Sequence, residues 1–120
     1  MSLVFIAIDG DSVGKLIEKL ILEENELSLK EASKEIAIGI SKCVERSAAL
    51  GAEVIFGAGD NALIKSDQSI EQEIIDLFIE ETSNLPVKFS IGIGSSMTNA
   101  YLSLKIAKIR QSGIHRIYNY

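Results

Sequence analysis

Two aspartates are the residues best placed to take part in a reaction. One follows a short apolar segment, and the other lies in a turn between two such segments. Asp9 ends the apolar run 3–8, and Asp60 lies in the glycine-rich turn 57–61. Two carboxylates that converge at one sheet end repel each other unless a cation lies between them. Magnesium takes oxygen ligands and prefers one or two carboxylates together with substrate phosphates. The pair therefore predicts a magnesium site that binds a nucleoside triphosphate.

The residues around these acids suit a phosphate ligand. Bare glycine backbone can approach a ligand closely, and the amino end of a helix attracts phosphate. Ser12 precedes a segment with helical periodicity, and Asp11 is either a third metal ligand or a cap of that helix. Asp-Gly and Gly-Asp-Asn are also ordinary turn sequences, so a purely structural interpretation of both acids stays open. The candidate glycines are Gly10, Gly14, Gly57 and Gly59.

Basic residues gather near the carboxyl end of an otherwise acidic chain. Lys105 and Lys108 are three residues apart on a predicted helix, so they lie on neighbouring positions of its surface. One or both could hold a triphosphate. The alternative is that they compensate the helix dipole near the end of the helix.

Length and charge limit the classes of protein to consider. The chain has 120 residues, a net charge of −5 and a single cysteine, Cys43. We expect one domain over residues 1–120, with Cys43 as a core residue and no disulfide. The acidic balance disfavours binding of long nucleic acid through its phosphates. The longest apolar run falls far short of the ~20 residues that span a bilayer, so we expect a cytoplasmic protein without membrane insertion.

Short apolar runs alternate with segments of helical periodicity in the order βααββαβαβ. Ser28 and Glu31 form a capping-box pattern that predicts the start of the second helix. This order predicts an α+β fold with a mostly antiparallel sheet and with helices on one face. The predicted strands are 3–8, 52–56, 62–65, 87–93 and 114–118, and the last helix is about 98–111.

The predicted topology brings the two acids together. A helical crossover makes the first two strands parallel, and the hairpin makes the third strand antiparallel to the second. If the third strand inserts between the first two, as in ferredoxin-like sheets, the hairpin turn lies beside the end of the first strand. Asp9 and Asp60 are then neighbours.

Four segments follow one another along the chain: 6–11 (IAIDGD), 56–61 (FGAGDN), 89–94 (FSIGIG) and 104–108 (LKIAK). In this order they resemble the palm/cyclase superfamily, and most closely the minimal CRISPR polymerase (mCpol) family. The resemblance covers nearly the whole chain and extends to GGDEF diguanylate cyclases and to the polymerase palm of type III CRISPR systems.

The resemblance implies the roles of individual residues. It implies that Asp9, Asp60 and the carbonyl of Gly10 hold two Mg²⁺ or Mn²⁺ ions in each active site. It implies that Lys108 contacts the triphosphate. Asn61 stands where the relatives have a second hairpin carboxylate, which places it in a catalytic position.

The resemblance also implies a reaction and partners. The reaction joins nucleoside triphosphates, with ATP favoured, into a cyclic dinucleotide or oligonucleotide and releases pyrophosphate. The product is expected to act in anti-phage signalling and to be sensed by a separate membrane-associated effector. Because a palm of this size offers one triphosphate site, we expect a homodimer; both faces of the first strand are apolar, and a partner chain or adjacent loops could cover them.

Two other functions stay open from the sequence. The amide of Asn61 is compatible with a palm that has lost catalysis and binds nucleotide as a sensor or scaffold. The same Asp60-Asn61 pair is compatible with a nucleotide hydrolase resembling the palm-fold GTP cyclohydrolase.

Overall fold

Five strands and four α-helices follow one another in the order that the sequence predicts. The structure, a computed structural model, describes residues 2–111 and 113–118. A short 3₁₀ helix precedes the third α-helix. The elements are β1 (Leu3–Gly10), α1 (Val13–Leu22), α2 (Glu26–Ala49), β2 (Glu53–Ala58), β3 (Asn61–Asp67), the 3₁₀ helix (Gln68–Ile70), α3 (Glu71–Thr82), β4 (Phe89–Gly94), α4 (Met97–Ile109) and β5 (Gly113–Ile117).

The five strands form a single sheet in the order β2-β3-β1-β4-β5. β1 pairs antiparallel with β3 on one side and with β4 on the other, and β2 pairs antiparallel with β3. β4 and β5 run parallel, which requires the intervening α4 as a crossover. The mostly antiparallel sheet and the insertion of β3 beside β1 are confirmed.

One face of the sheet packs on α2 and α3 to form the main core. Alternate residues of β1, namely Val4, Ile6 and Ile8, are completely buried there. Phe78 of α3 and Cys43 of α2 are buried in the same cluster. Cys43 is thus a core residue, as predicted, and burial raises the pKa of its thiol to about 12.

The prediction that the helices share one face of the sheet is wrong, because α4 lies on the opposite face from α2 and α3. Ile91 and Ile93 of β4 point into the main core, so Gly92 and Gly94 face the other way. A Cβ on Gly92 would collide with backbone atoms of α4, at Leu104 and Ala100. The two glycines thus let α4 pack directly on β4, and α4 also contacts β1 and β5.

The start of α2 also differs from the capping-box prediction. Asn25 is the N-cap, and its side chain accepts a hydrogen bond from the backbone N–H of Ser28 at 3.2 Å. Ser28 therefore lies within the first turn as the residue being capped. The helix starts at Glu26, and its N-cap is three residues earlier than predicted.

No helix within residues 2–111 and 113–118 is both long enough and apolar enough to cross a membrane.

Candidate functional site

The end of β1 and the β2–β3 turn meet at one end of the sheet. Asp9 is opposite Asn61 in the β1–β3 pairing. The backbone N–H of Gly10 donates to the carbonyl oxygen of Asp60 at 3.0 Å, which holds the turn against the end of β1. The predicted proximity of Asp9 and Asp60 is therefore present in the structure.

The ammonium of Lys108 lies among the oxygens at this end of the sheet. Its Nζ is 3.1 Å from Asp9 Oδ2, 3.1 Å from the Gly10 carbonyl oxygen and 3.4 Å from Asp11 Oδ1. The side chains of Asp9 and Lys108 are each 27% exposed, so solvent and a ligand can reach the pair. The crossing of α4 over β1 and β4 thus brings Lys108 to the end of β1.

Asp11 belongs to this cluster. In the part of the chain that the structure describes, its side chain does not act as the cap of α1. Ser90 of β4 donates its hydroxyl to both carboxylate oxygens of Asp11, at 2.9 and 3.0 Å. The backbone N–H of Asp11 donates to the carbonyl oxygen of Lys88 at 2.8 Å. Ser12 occupies the N-cap position of α1 with a φ of 59° and makes no side-chain cap hydrogen bond. The first N–H groups of α1 are therefore not used by a capping side chain.

The electrostatics of the site are visible in Asp9. Partial burial raises the pKa of its carboxyl above the ordinary value, and the Asp60 carboxylate nearby raises it further. The hydrogen bond and the charge of Lys108 lower that pKa and so oppose the other two effects. Two carboxylates and one ammonium thus share a partly buried volume, where a cation stabilises the ionised acids.

An open cleft of about 510 Å³ lies beside the cluster on the Asp11 side. Two lysines from different elements line it, Lys88 ahead of β4 and Lys108 of α4, together with residues of the β1–α1 loop. The lining is Asp11, Ser12, Lys88, Lys108 and Gln111.

The four candidate glycines divide into two pairs. A Cβ on Gly10 would come within 2.6 Å of Val13 and within 3.4 Å of Asp60 Oδ2, so the loop at this position has no room for a side chain. Gly57 faces α2, where a Cβ would come within 2.5 Å of Val44, so it permits packing and does not face the site. Nothing lies within 4 Å of a Cβ on Gly14 or Gly59, and Gly59 has the positive φ of 61° that the hairpin turn requires.

Of the two remaining candidate residues, Asn61 lies at the site and Lys105 does not. Asn61 is at the site, and its side-chain amide donates to Asp60 Oδ1 at 3.3 Å. Lys105 is not among the residues that line the cleft; its ammonium lies 5.0 Å from the ring centre of Tyr101 on the exposed side of α4.

The oxygen donors at the end of β1 fit a hard divalent cation. The side chains of Asp9 and Asp60 and the carbonyl of Gly10 supply oxygen ligands, the type that Mg²⁺ and Mn²⁺ prefer. Two of these oxygens, from Asp9 and Gly10, both contact the positively charged ammonium of Lys108. Within residues 2–111 and 113–118 no three His, Cys, Asp or Glu side chains converge in the geometry of a metal site.

Sequence reasoning did not assign roles to Ser90, Lys88 and Gln111. Apolar and polar residues alternate over 87–93 in the sequence, and this alternation places Lys88 and Ser90 on one face of the strand, opposite the apolar residues. The missing information was the position of α4 on that same face, which brings Lys108 and Gln111 to them.

The fold is that of GGDEF domains. A diguanylate cyclase/phosphodiesterase from Caldicellulosiruptor saccharolyticus superposes with a TM-score of 0.64 at 20% identity, over 97% of this chain and 77% of that one. An EAL/GGDEF domain protein from M. capsulatus gives 0.59 at 16% identity, over 95% and 83% of the two chains. A GGDEF domain from Pseudomonas aeruginosa gives 0.61 at 16% identity, over 98% and 77%. The chain therefore has the fold of these domains.

The chain belongs to the minimal CRISPR polymerase (mCpol) family, whose domain model matches residues 5–120. No curated protein sequence matches it. The resemblance seen in the sequence motifs is thus confirmed at the level of the family.

Proposed function

We propose that this protein is a Mg²⁺-dependent nucleotidyltransferase that joins nucleoside triphosphates, with ATP favoured, into a cyclic dinucleotide or oligonucleotide. The observation that carries the proposal is the convergence of Asp9, the Gly10 carbonyl and the Asp60 turn at one end of the sheet, with Lys108 among them. Membership of a polymerase family supports the same reaction class.

The proposed reaction is an in-line displacement. A ribose hydroxyl oxygen of one nucleotide forms a bond to the α-phosphorus of another, and the bond from that phosphorus to the bridging oxygen of pyrophosphate breaks. The hydroxyl proton passes to solvent, and pyrophosphate leaves. Two divalent ions, Mg²⁺ or Mn²⁺, would activate the attacking oxygen and neutralise charge on the leaving oxygen when bound. Asp9, Asp60 and the Gly10 carbonyl are the residues that would hold them.

The chain itself contributes position and positive charge. The first N–H groups of α1, which lack a capping side chain, point toward the loop that holds Asp11 and Ser12 and can donate to phosphate oxygens. Lys108 supplies a positive charge within reach of the same phosphates. Ser90 fixes the Asp11 carboxylate through its two hydrogen bonds and so maintains the shape of the loop.

We also propose that the active form is a homodimer. The reaction joins two nucleotides, whereas each chain has one carboxylate pair. A small apolar depression of about 200 Å³ lies next to the carboxylates on the α4 face and includes Asp9 and Asn61 in its lining. Phe56, Met97 and Tyr101 around it are about half exposed. A second copy covering this surface would bring its own nucleotide toward the first.

We propose further that the product is a signal in anti-phage defence and that a separate membrane-associated effector senses it. The support is membership of the minimal CRISPR polymerase family. Infection of cells that carry the wild-type gene and the effector, compared with cells that carry an Asp60→Asn gene, tests this point. Equal phage yields in the two strains would contradict the defence role.

The reaction is tested by incubating the purified protein with each nucleoside triphosphate and Mg²⁺ or Mn²⁺ and determining the products by mass spectrometry. We expect a cyclic product and pyrophosphate, both lost in Asp60→Asn. Asp76→Asn, the same change on the exposed surface of α3, is the matched control and should retain activity.

The same experiment separates the two other functions. Nucleotide that binds but returns intact would indicate a sensor or scaffold, for which the amide of Asn61 is the motivating residue. Ring-opened GTP would indicate a hydrolase. Either result would contradict the proposed transferase.

A further inference from the structure

Lys88 is a basic residue of the cleft that the carboxylate cluster does not use. It lies immediately before β4, and its side chain is exposed and lines the same cleft as Ser12 and Lys108. Among residues 2–111 and 113–118 its ammonium has no ion-pair partner.

The backbone of Lys88 is held firmly at the site. Its carbonyl oxygen accepts the N–H of Asp11 at 2.8 Å, and the next residue, Phe89, pairs with Gly10. The Cα of Lys88 is therefore fixed beside the β1–α1 loop, and the side chain alone retains conformational freedom. A long flexible cation on a fixed backbone can reach a ligand without rearrangement of the loop.

The residues that line the cleft include two lysines, Lys88 and Lys108, and one carboxylate, that of Asp11. The ammonium of Lys108 is shared between Asp11 and Asp9, at 3.4 and 3.1 Å. The ammonium of Lys88 and the partial positive charge at the amino end of α1 remain. An anion with several charged groups suits this arrangement better than a neutral ligand does.

We propose that Lys88 binds the β- and γ-phosphates of the nucleoside triphosphate, from the β4 side of the cleft, while Lys108 binds from α4. The proposal rests on the proposed function, since it assumes that a triphosphate is the substrate. The order of the phosphates follows from position, because the reacting α-phosphate belongs next to Asp9 and Asp60 and Lys88 lies on the Asp11 side of that pair.

Equilibrium binding of inorganic tripolyphosphate, ATP and AMP tests this role, with Ca²⁺ in place of Mg²⁺ to slow turnover. We expect Lys88→Gln to weaken tripolyphosphate and ATP binding roughly tenfold and AMP binding by less than about twofold. Lys88→Arg should restore most of the affinity because it restores the charge. Lys42→Gln, on the exposed surface of α2 and not part of the cleft lining, is the matched control and should bind like the wild type.

The outcomes distinguish this inference from the proposed function. Equal tripolyphosphate affinity of wild type and Lys88→Gln, or an equal loss for AMP and ATP, would overturn the role of Lys88 even if the wild type forms a cyclic product. Absence of tripolyphosphate binding by the wild type would overturn it as well. Lys88-dependent binding in a protein that forms no product would support the anion site and contradict the transferase.

Discussion

The side chain of Lys108 contacts both the proposed metal site and the proposed triphosphate site. Its ammonium contacts Asp9 and the carbonyl of Gly10, which are proposed metal ligands, and it also lines the cleft proposed for triphosphate. A divalent cation and the ammonium compete for the same oxygens. Metal binding is therefore expected to turn Lys108 away from Asp9 and toward the phosphates.

Replacement of Lys108 should change metal and nucleotide affinity in opposite directions. In Lys108→Gln, Mn²⁺ alone should bind about tenfold more tightly, because a charge about 3 Å from Asp9 no longer competes. Nucleoside triphosphate should bind more weakly in the same variant. Electron paramagnetic resonance of free Mn²⁺ measures the first quantity, and Lys42→Gln on the exposed surface of α2 is the control. Unchanged or weaker Mn²⁺ binding would contradict this account of Lys108.

Cys43 should be chemically inert in the folded protein. Its pKa of about 12 leaves about one thiolate in ten thousand at pH 8, and its side chain is completely buried. A thiol reagent followed by absorbance should label the native protein slowly, with a rate that rises with pH, and the denatured protein quickly. Rapid labelling of native protein at pH 8 would show that α2 does not pack on the sheet as described.

At this scale the sequence identified the two acids but not the full cluster. Asp9 and Asp60 could be predicted as neighbours because each terminates a strand segment whose pairing follows from topology. The partner of Asp11 could not be predicted, because Ser90 is 79 residues away and a serine on a strand has no distinctive pattern. The proximity of Lys108 to Gly10 likewise depends on where α4 packs.

At the scale of helices and strands, the site depends on which face of the sheet α4 packs against. Had α4 packed with α2 and α3, Lys108 and Gln111 would lie away from the end of β1. The alternation of glycine with isoleucine in β4 contains the relevant signal, since a face without side chains invites close approach of a helix. The periodicity of apolar residues did not predict the position of α4, because glycine contributes nothing to hydrophobic periodicity.

A methyl group at Gly92 should therefore destabilise the fold. Gly92→Ala would place a Cβ against the backbone of α4 at Leu104 and Ala100, and we expect a loss of at least about 2 kcal/mol in the free energy of unfolding. Urea denaturation followed by circular dichroism measures it. Gly14→Ala is the matched control, because its Cβ meets open space in α1 and should leave stability unchanged or raise it by less than about 1 kcal/mol. Equal stability of the two variants would contradict the packing of α4 on β4.

For the whole molecule, the proposed homodimer makes activity depend on protein concentration. We expect the rate per chain to fall on dilution of the wild type. Phe56→Lys, which adds a charge to the apolar surface beside Asn61, should weaken self-association and reduce product formation at least tenfold while leaving nucleotide binding intact. Analytical ultracentrifugation with an activity assay measures both effects.

A charge placed elsewhere is the control for that surface. Leu27→Lys changes a residue at the start of α2 that is more exposed than Phe56, and it should remain dimeric and active. Loss of activity in Phe56→Lys without a change in self-association would contradict the proposed interface.

The most direct test of the central claim is the number of pyrophosphate molecules released for each nucleoside triphosphate consumed. Ring closure breaks one phosphoanhydride bond in every nucleotide, so the account predicts one pyrophosphate per nucleotide for the wild type and none for Asp9→Asn or Asp60→Asn. A lower ratio would indicate linear products. Orthophosphate without pyrophosphate, or undiminished release from the aspartate variants, would contradict nucleotidyl transfer at this site.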